Sequence, residues 1–291
     1  MTKIAITGYA SLDHVIQMEA PPRPNETVIA ARTTTHLLRL GGSPSYVAMA
    51  VVRAGIADAV PITWIAADEG GDRFIAALHE AKVPVDGIAR SLPGHTPICI
   101  LAYDPAGACY CIYDPAASRT ATLTPVQADI VAQADWVCIT VGPASATRDA
   151  LSRMQPGQKL VWAVKADGDA FPSELRVALA ARADLIVHSK GERPFVADAL
   201  DAAPARADRI VIETRGAEGA HVAHGDRSEL VPAKNLAASD PTGAGDTFIG
   251  GLLAKLIARP GDAVAAVRAG QEAAHAMLFE RIEHEKKRKQ L

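Results

Sequence analysis

Residues 240–246 read Asp240-Pro241-Thr242-Gly243-Ala244-Gly245-Asp246, and they run directly into TFIGGLLAKLI, Thr247 to Ile257. In the second segment Phe248, Ile249, Leu252, Leu253, Leu256 and Ile257 recur at helical spacing. A loop of tiny residues therefore feeds into a helix N-terminus. Such an end carries about half a unit of positive charge and several unpaired N–H donors. Small residues let those donors approach an anion closely. The window predicts an anion site at Gly243, Ala244 and Gly245. Asp246 falls in the first helical turn, where its charge would repel a bound phosphate. As a general base it would take the proton of an attacking hydroxyl while the loop takes up charge on the transferring group. It could equally be a favourable first-turn acid beside a tight turn. The window alone leaves both open.

Outward from there, short apolar β-branched runs alternate with amphipathic segments. Lys3 to Thr7 reads as a buried strand. Ser43-Pro44 predicts a helix start, with Ser43 as N-cap and Pro44 at the first helical position. That helix runs through Val47, Val51 and Val52 and stops at Gly55. Pro61 to Ala66, Trp136 to Thr140, Leu160 to Val164, Leu185 to His188 and Arg209 to Thr214 read as further strands. Helices are predicted over 71–82, after Thr124-Pro125, and over 145–154. Ala220 to Ala223 and Glu229 to Val231 add strands, and helices over about 245–257 and 262–280 close the chain. Strands separated by helices imply βαβ units and a mostly parallel sheet covered on both faces. One stretch breaks the rhythm. ICILAY (98–103) and CYCIY (109–113) flank Asp104-Pro105-Ala106-Gly107, a β-hairpin signal. With the Pro-rich segment Pro21 to Pro24 it predicts a small β-rich lid.

The chain has 291 residues, 49% of them hydrophobic, enough for one large α/β domain. A formal net charge of -3 gives no basic field for nucleic acid. The run Lys286-Lys287-Arg288-Lys289 reads as a solvated, frayed terminus. The N-terminus turns polar too soon for a signal peptide, and no stretch of about 18 apolar residues exists to span a membrane. The expected address is the cytoplasm. Cys99, Cys109, Cys111 and Cys138 form no CxxC pair and are expected as free buried thiols. Lys165 and Asp167 follow a predicted strand at its ligand-facing edge. The lysine could meet a phosphate or simply be solvated.

DPTGAGD followed by an apolar helix resembles the signature of the ribokinase-like, phosphofructokinase-B type, family of carbohydrate and nucleoside kinases. Four more windows agree in order and spacing. They are Asp13 in GYASLDHV, Gly41-Gly42 before the first helix, Ser189-Lys190-Gly191-Glu192, and Thr214-Arg215-Gly216-Ala217-Glu218-Gly219. The resemblance implies a three-layer α/β fold with a mostly parallel central sheet, helices on both faces and a small β-sheet lid. It implies a single domain over 1–291, with the lid drawn from about 13–40 and 95–118. It implies an ATP-dependent kinase acting on a small sugar hydroxyl, with Asp246 as base. Gly243, Ala244 and Gly245 would form the anion hole, and Asp13, Gly41, Gly42 and Tyr46 would meet substrate. Ser189, Glu192, Thr214, Gly216 and Gly219 would meet nucleotide. Glu192 would place Mg2+ through water, and the resemblance also admits K+ with ligands near Asp240 and Thr242. A homodimer through the lid is a further implication.

Two positions depart from the pattern. Ser189 replaces an Asn of the Asn-x-x-Glu motif, and Tyr46 stands where sugar-specific relatives usually carry Asn. A Tyr offers one OH and a stacking face, which keeps a nucleoside kinase as an alternative. A kinase for a hydroxymethylpyrimidine-type precursor fits less well, because such relatives generally lack a lid. Ser189 and the early chain end after the last helix also leave room for a sugar-binding regulator without catalysis.

Overall fold

The computed structural model describes residues 2–289 apart from 33–38, 235, 237 and 239, and the backbone alone at 32, 284, 285 and 287–289. The part of the expected lid at 33–38 therefore lies outside the described residues. In chain order the strands are β1 (Thr2–Thr7), β2 (Ser11–Met18), β3 (Ala30–Arg32), β4 (Arg39–Gly41), β5 (Ala57–Ala66), β6 (Ile88–Leu92), β7 (Ile98–Tyr103), β8 (Cys109–Asp114), β9 (Trp136–Ile139), β10 (Lys159–Ala163), β11 (Leu185–Ser189), β12 (Ile210–Thr214), β13 (Ala220–His224) and β14 (Arg227–Val231). The helices are α1 (Ser43–Ala54), α2 (Glu69–Glu80), α3 (Pro125–Gln133), α4 (Ala144–Arg153), α5 (Ser173–Arg182), α6 (Arg193–Ala202), α7 (Ala244–Ala258) and α8 (Ala263–Lys289).

The large sheet has the order β14-β13-β12-β11-β10-β9-β1-β5-β6. From β12 to β6 every neighbouring pair is parallel, and β13 and β14 add an antiparallel edge. Alternation along the strands sends side chains to two separate cores. Ile4, Ile6, Cys138 and Val161 pack with Val47 and Val51 of α1, Phe74 of α2 and Leu252 of α7. Ala5, Val137, Ile139, Leu160 and Trp162 pack with Val131 of α3, Ala150 of α4, Leu179 of α5 and Val196 of α6. That is the three-layer α/β arrangement the sequence implied. Each fully buried large apolar side chain contributes roughly 1.5–3 kcal/mol.

A second sheet stands apart, with order β3-β2-β7-β8 and β4 also paired to β2. β7 and β8 form the predicted hairpin, with Leu101 opposite Cys111. β2 was not anticipated as a strand. Asp13 lies within it, paired between Arg39 of β4 and Cys99 of β7.

Three local expectations are corrected. The N-cap of α1 is Gly42, at φ 82, so Ser43 is already helical and its hydroxyl is released from capping. The helix expected to stop near 280 continues to Lys289, so the basic tail is helical instead of frayed. Of the four thiols only Cys99 and Cys138 are buried; Cys109 and Cys111 are exposed. They sit on β8, the edge strand of the small sheet, on the face shared with Cys99, Leu101 and Tyr103, and Cys111 borders an open cavity.

Candidate active site

The carboxyl ends of β9, β10, β11 and β12 open into one cavity of about 580 Å³, bordered by Thr140, Lys165, Ser189 and Thr214. Ligands of open α/β sheets bind outside such strand ends. The lid covers one side with Ser11, Asp13, Cys99, Leu101, Tyr103, Cys111 and Tyr113. The mouth of α7 closes another with Thr242, Gly243, Gly245 and Asp246.

The loop expected to bind an anion is tightly held. Gly243 sits at φ 77 as the N-cap of α7, a left-handed conformation that suits glycine. A Cβ there would also lie 2.7 Å from the Tyr46 ring. The Thr242 N–H donates to Asp240 Oδ1 at 3.1 Å. Of the three residues expected to cradle an anion, Ala244 does not take part through its backbone: its N–H donates to the Pro241 carbonyl at 3.0 Å. The turn that gives Gly243 its positive φ points that donor backwards. The Gly245 and Asp246 N–H groups have no backbone acceptor among the described residues and lie in the first helical turn, where donors face the cavity.

Burial pushes the Asp246 carboxyl above its ordinary value. A hydrogen bond from the Ser43 hydroxyl and the charge of Lys165 oppose that shift, and Glu192 adds to it. A buried carboxyl holds its proton more tightly than a solvated one, which is the property a general base needs. Lys165 is exposed at the cavity edge, a contributor that sequence reading noted and left undecided.

Asp13 is 4% exposed, and burial raises its pKa, against the Ser11 hydrogen bond and the charge of Arg39. The Ser11 hydroxyl donates to Asp13 Oδ1 at 2.6 Å. Gly42 borders the cavity but Gly41 does not; Gly41 lies beneath Asp13, where a Cβ would sit 2.1 Å from Asp13 Oδ1. Tyr46 is 5% exposed; its ring lies against Gly243 and it borders the cavity.

At the end of β11, Ser189 and Glu192 form a reciprocal cap. The Ser189 side chain accepts from the Glu192 backbone N–H, and Glu192 Oε2 accepts the Ser189 N–H at 2.7 Å. Serine thus keeps the Glu in place where the motif has Asn. Thr214 borders the cavity, whereas Gly216 and Gly219 form the turn behind it between β12 and β13.

Sequence reading missed the aromatic lining. Tyr9 and Tyr113 rings lie 5.7 Å apart, and the Tyr113 hydroxyl donates to the Ala10 carbonyl at 3.0 Å. The Tyr103 hydroxyl meets Thr242 Oγ1 at 2.7 Å, which joins the lid to the anion loop. Arg39 of β4 makes a second such link, a short ion pair with Asp240. Cys99 and Cys111 Sγ atoms are 3.4 Å apart; the Cys99 hydrogen bond lowers the Cys111 thiol to about 7, against partial burial.

A parallel sheet with a glycine loop at its strand ends, a carboxylate on that loop and a small β-sheet above is the arrangement expected of a phosphotransferase of the kinase type. The chain matches the description "pfkB family carbohydrate kinase" over residues 1–281, and it belongs to that family. It is an ATP-dependent carbohydrate kinase. It is 24% identical over 237 residues, 75% of this chain and 73% of the other, to a protein of Pyrococcus horikoshii named as a sugar kinase. Among solved structures it resembles ribokinase from Cryptococcus neoformans in complex with ADP. That match has a TM-score of 0.79 and 18% identity, covering 99% of this chain and 100% of the other. It also resembles a nucleoside kinase of Burkholderia thailandensis in complex with inosine. There the TM-score is 0.75 and the identity 20%, covering 93% of this chain and 89% of the other.

Proposed function

We propose that the acceptor is a small sugar or sugar derivative, held by Asp13 beneath the lid, and that Asp246 deprotonates its hydroxyl. The observation that supports this is the shared cavity. It brings two partly or fully buried carboxylates, one on the lid and one at the mouth of α7, to the same space. The Gly243, Gly245 and Asp246 N–H groups would take up charge on the transferring phosphoryl, with Lys165 as a nearby cation. Ala244 would serve by its small size. Gly42 would border the acceptor, Gly41 would make room for Asp13, and Tyr46 would support the loop from below. ATP would lie over Ser189, Glu192 and Thr214, with the Gly216–Gly219 turn shaping its far side.

The residues present fit Mg2+. Among the described residues no group of three or more His, Cys, Asp or Glu forms a metal cage. Glu192 keeps one carboxylate oxygen free of its cap. That is the donor set of an ion held by one carboxylate, water and substrate phosphates. Bound there, the ion would neutralise charge on the β- and γ-phosphate oxygens. A K+ ion, which the resemblance admitted near Asp240 and Thr242, fits less well, because the carbonyls of both residues accept hydrogen bonds from Arg281.

The small sheet is read as a lid that excludes water during transfer. Its outer face leaves Ile112 63% exposed and Tyr110 38% exposed, which supports pairing of two lids in a homodimer. No helix among the described residues is long and apolar enough to cross a membrane. The reading is of a cytoplasmic enzyme without nucleic-acid or membrane partners. Tyr103→Phe removes one lid-to-loop hydrogen bond, worth about 1 kcal/mol, so kcat/KM should fall roughly five-fold. ATP hydrolysis without acceptor should rise relative to transfer. Unchanged kinetics and coupling in that variant would separate the contact from closure.

A second reading has a specific observation behind it. Tyr9, Tyr103 and Tyr113 all border the cavity, and an aromatic lining suits a nucleoside base. A coupled ADP-release screen decides. Ribose, fructose and 2-keto-3-deoxygluconate are compared with adenosine, cytidine and inosine. ADP release above the ATP-only background is expected with a sugar. Turnover of nucleosides alone would move the assignment to the second reading. Binding with no ADP from any acceptor would mark a regulator.

A further inference from the structure

Arg281 lies late on α8, some forty positions from the loop it touches, and no motif draws attention to it. α8 packs antiparallel to α7 at very close range. A Cβ on Gly251 would lie 2.6 Å from Ala273 Cβ, and one on Gly270 would lie 2.6 Å from the Phe248 carbonyl. The return of α8 brings its last turns beside the residues that precede α7. There Arg281 Nη1 donates to the Thr242 carbonyl at 2.5 Å and to the Asp240 carbonyl at 3.2 Å, and lies 3.7 Å from Asp240 Oδ2. Its Nη2 donates to the Tyr46 hydroxyl at 3.4 Å, and the guanidinium carbon stands 5.8 Å from the Tyr46 ring centre. The Arg281 side chain is 19% exposed.

One cationic nitrogen thus gathers two main-chain carbonyls and approaches a carboxylate oxygen on the segment that ends in Gly243. The carbonyls of a loop whose N–H groups turn toward an anion must point the other way, and converging carbonyls repel one another unless a cation sits among them. A guanidinium can do this permanently, since it stays charged at any working pH and its donors are fixed in a plane.

We infer that Arg281 is a built-in cation for the loop before α7: its guanidinium holds residues 240–243 in the shape proposed to bind phosphate, in the place where the resemblance admitted K+, so the enzyme needs no monovalent ion. Arg281 is a positioning residue; it borders the back of the loop and does not touch the cavity in which the acceptor and phosphates would meet. Tyr46 belongs to the same arrangement. Its ring supports Gly243 on one face and its hydroxyl receives Arg281, which accounts for an aromatic residue at that helix position.

The test compares wild type, Arg281→Ala and Arg281→Lys in KCl, NaCl and tetramethylammonium chloride at equal ionic strength. Melting temperature is read without substrate, and turnover is read with the best acceptor from the screen. Wild-type melting temperature and kcat should be the same in all three salts. Arg281→Ala should lose about 10- to 100-fold in kcat, the size expected for removing hydrogen bonds from a charged donor. It should gain a melting temperature raised by KCl over tetramethylammonium chloride, and partial recovery of kcat with KCl or millimolar guanidinium. Arg281→Lys should fall between the two. Several-fold activation of wild type by K+ over tetramethylammonium would overturn the inference, as would wild-type kcat in Arg281→Ala. Should the Ala variant fail to fold, the wild-type salt comparison decides alone. The thermal arm requires no turnover, so its outcome stands even where no acceptor in the screen is phosphorylated.

Discussion

Asp246→Asn is expected to lower kcat by about 10²–10⁴-fold, the range for removing a general base, while leaving the fold and ATP binding in place. The substitution keeps the size of the side chain and its contact with Ser43, and it removes only the ability to take a proton. Burial raises the Asp246 carboxyl pKa. A carboxylate whose pKa is raised by folding binds its proton more tightly folded than unfolded. Its ionisation above that folded pKa therefore takes stability away, and stability from this group is greatest at acid pH. A neutral Asn relieves that cost, so the variant should melt at or above the wild-type temperature at neutral pH. Activity has the opposite sign. The base works only when ionised, so wild-type kcat should rise with pH through an acid limb displaced upward from the usual carboxylate range near about 4. The residual rate of Asp246→Asn should lack that limb. Steady-state kinetics across pH and a thermal melt check all three statements. Near-wild-type turnover would remove Asp246 from the chemistry, and a large drop in melting temperature would make it a structural residue.

Asp246 was legible because its chemistry is contiguous in the chain. Loop, helix start and acid occupy seven neighbouring residues, and local rules suffice to read them. The alternation of strands and helices likewise announced a parallel sheet, and the strand ends that border the cavity follow from it. What could not be read depends on how distant segments meet. Arg281 sits on a polar stretch of helix that looks like any solvated surface, and only the return of α8 along α7 gives it partners. Tyr103 and Tyr113 share a face of the hairpin by simple alternation, but the sequence does not say which face looks into the cleft. Ser43 was misread as an N-cap because Gly42, at positive φ, could serve instead and free the hydroxyl for Asp246. The capping rule that failed there held at Thr124, whose side chain and Gln127 form a full capping box. The difference is the glycine that precedes Ser43.

Asp13→Ala should reduce kcat/KM for the acceptor by about 10²–10⁴-fold while the KM for ATP stays within about two-fold. A carboxylate that accepts two substrate hydroxyls makes two charge-assisted hydrogen bonds, each worth about 1.5–3 kcal/mol, and every 1.4 kcal/mol is a factor of about ten. The wild-type carboxylate bears a desolvation cost, so the variant should not melt lower, and loss of binding cannot be traced to unfolding. Asp13 also titrates upward through burial. Its protonation in acid should weaken acceptor binding, so kcat/KM should carry an acid limb from Asp13 in addition to that of Asp246. That extra limb should disappear in Asp13→Asn. The companion variant is Gly41→Ala, which leaves the carboxylate in the chain but occupies the space beneath it. Its new Cβ would stand 2.1 Å from Asp13 Oδ1 and 2.4 Å from Ser11 Oγ, so the carboxylate must swing away. The Gly41 variant should therefore reproduce the acceptor defect with Asp13 intact. If both variants bind acceptor as wild type does, the lid carboxylate has no part in recognition, and the acceptor must be held by the aromatic wall alone.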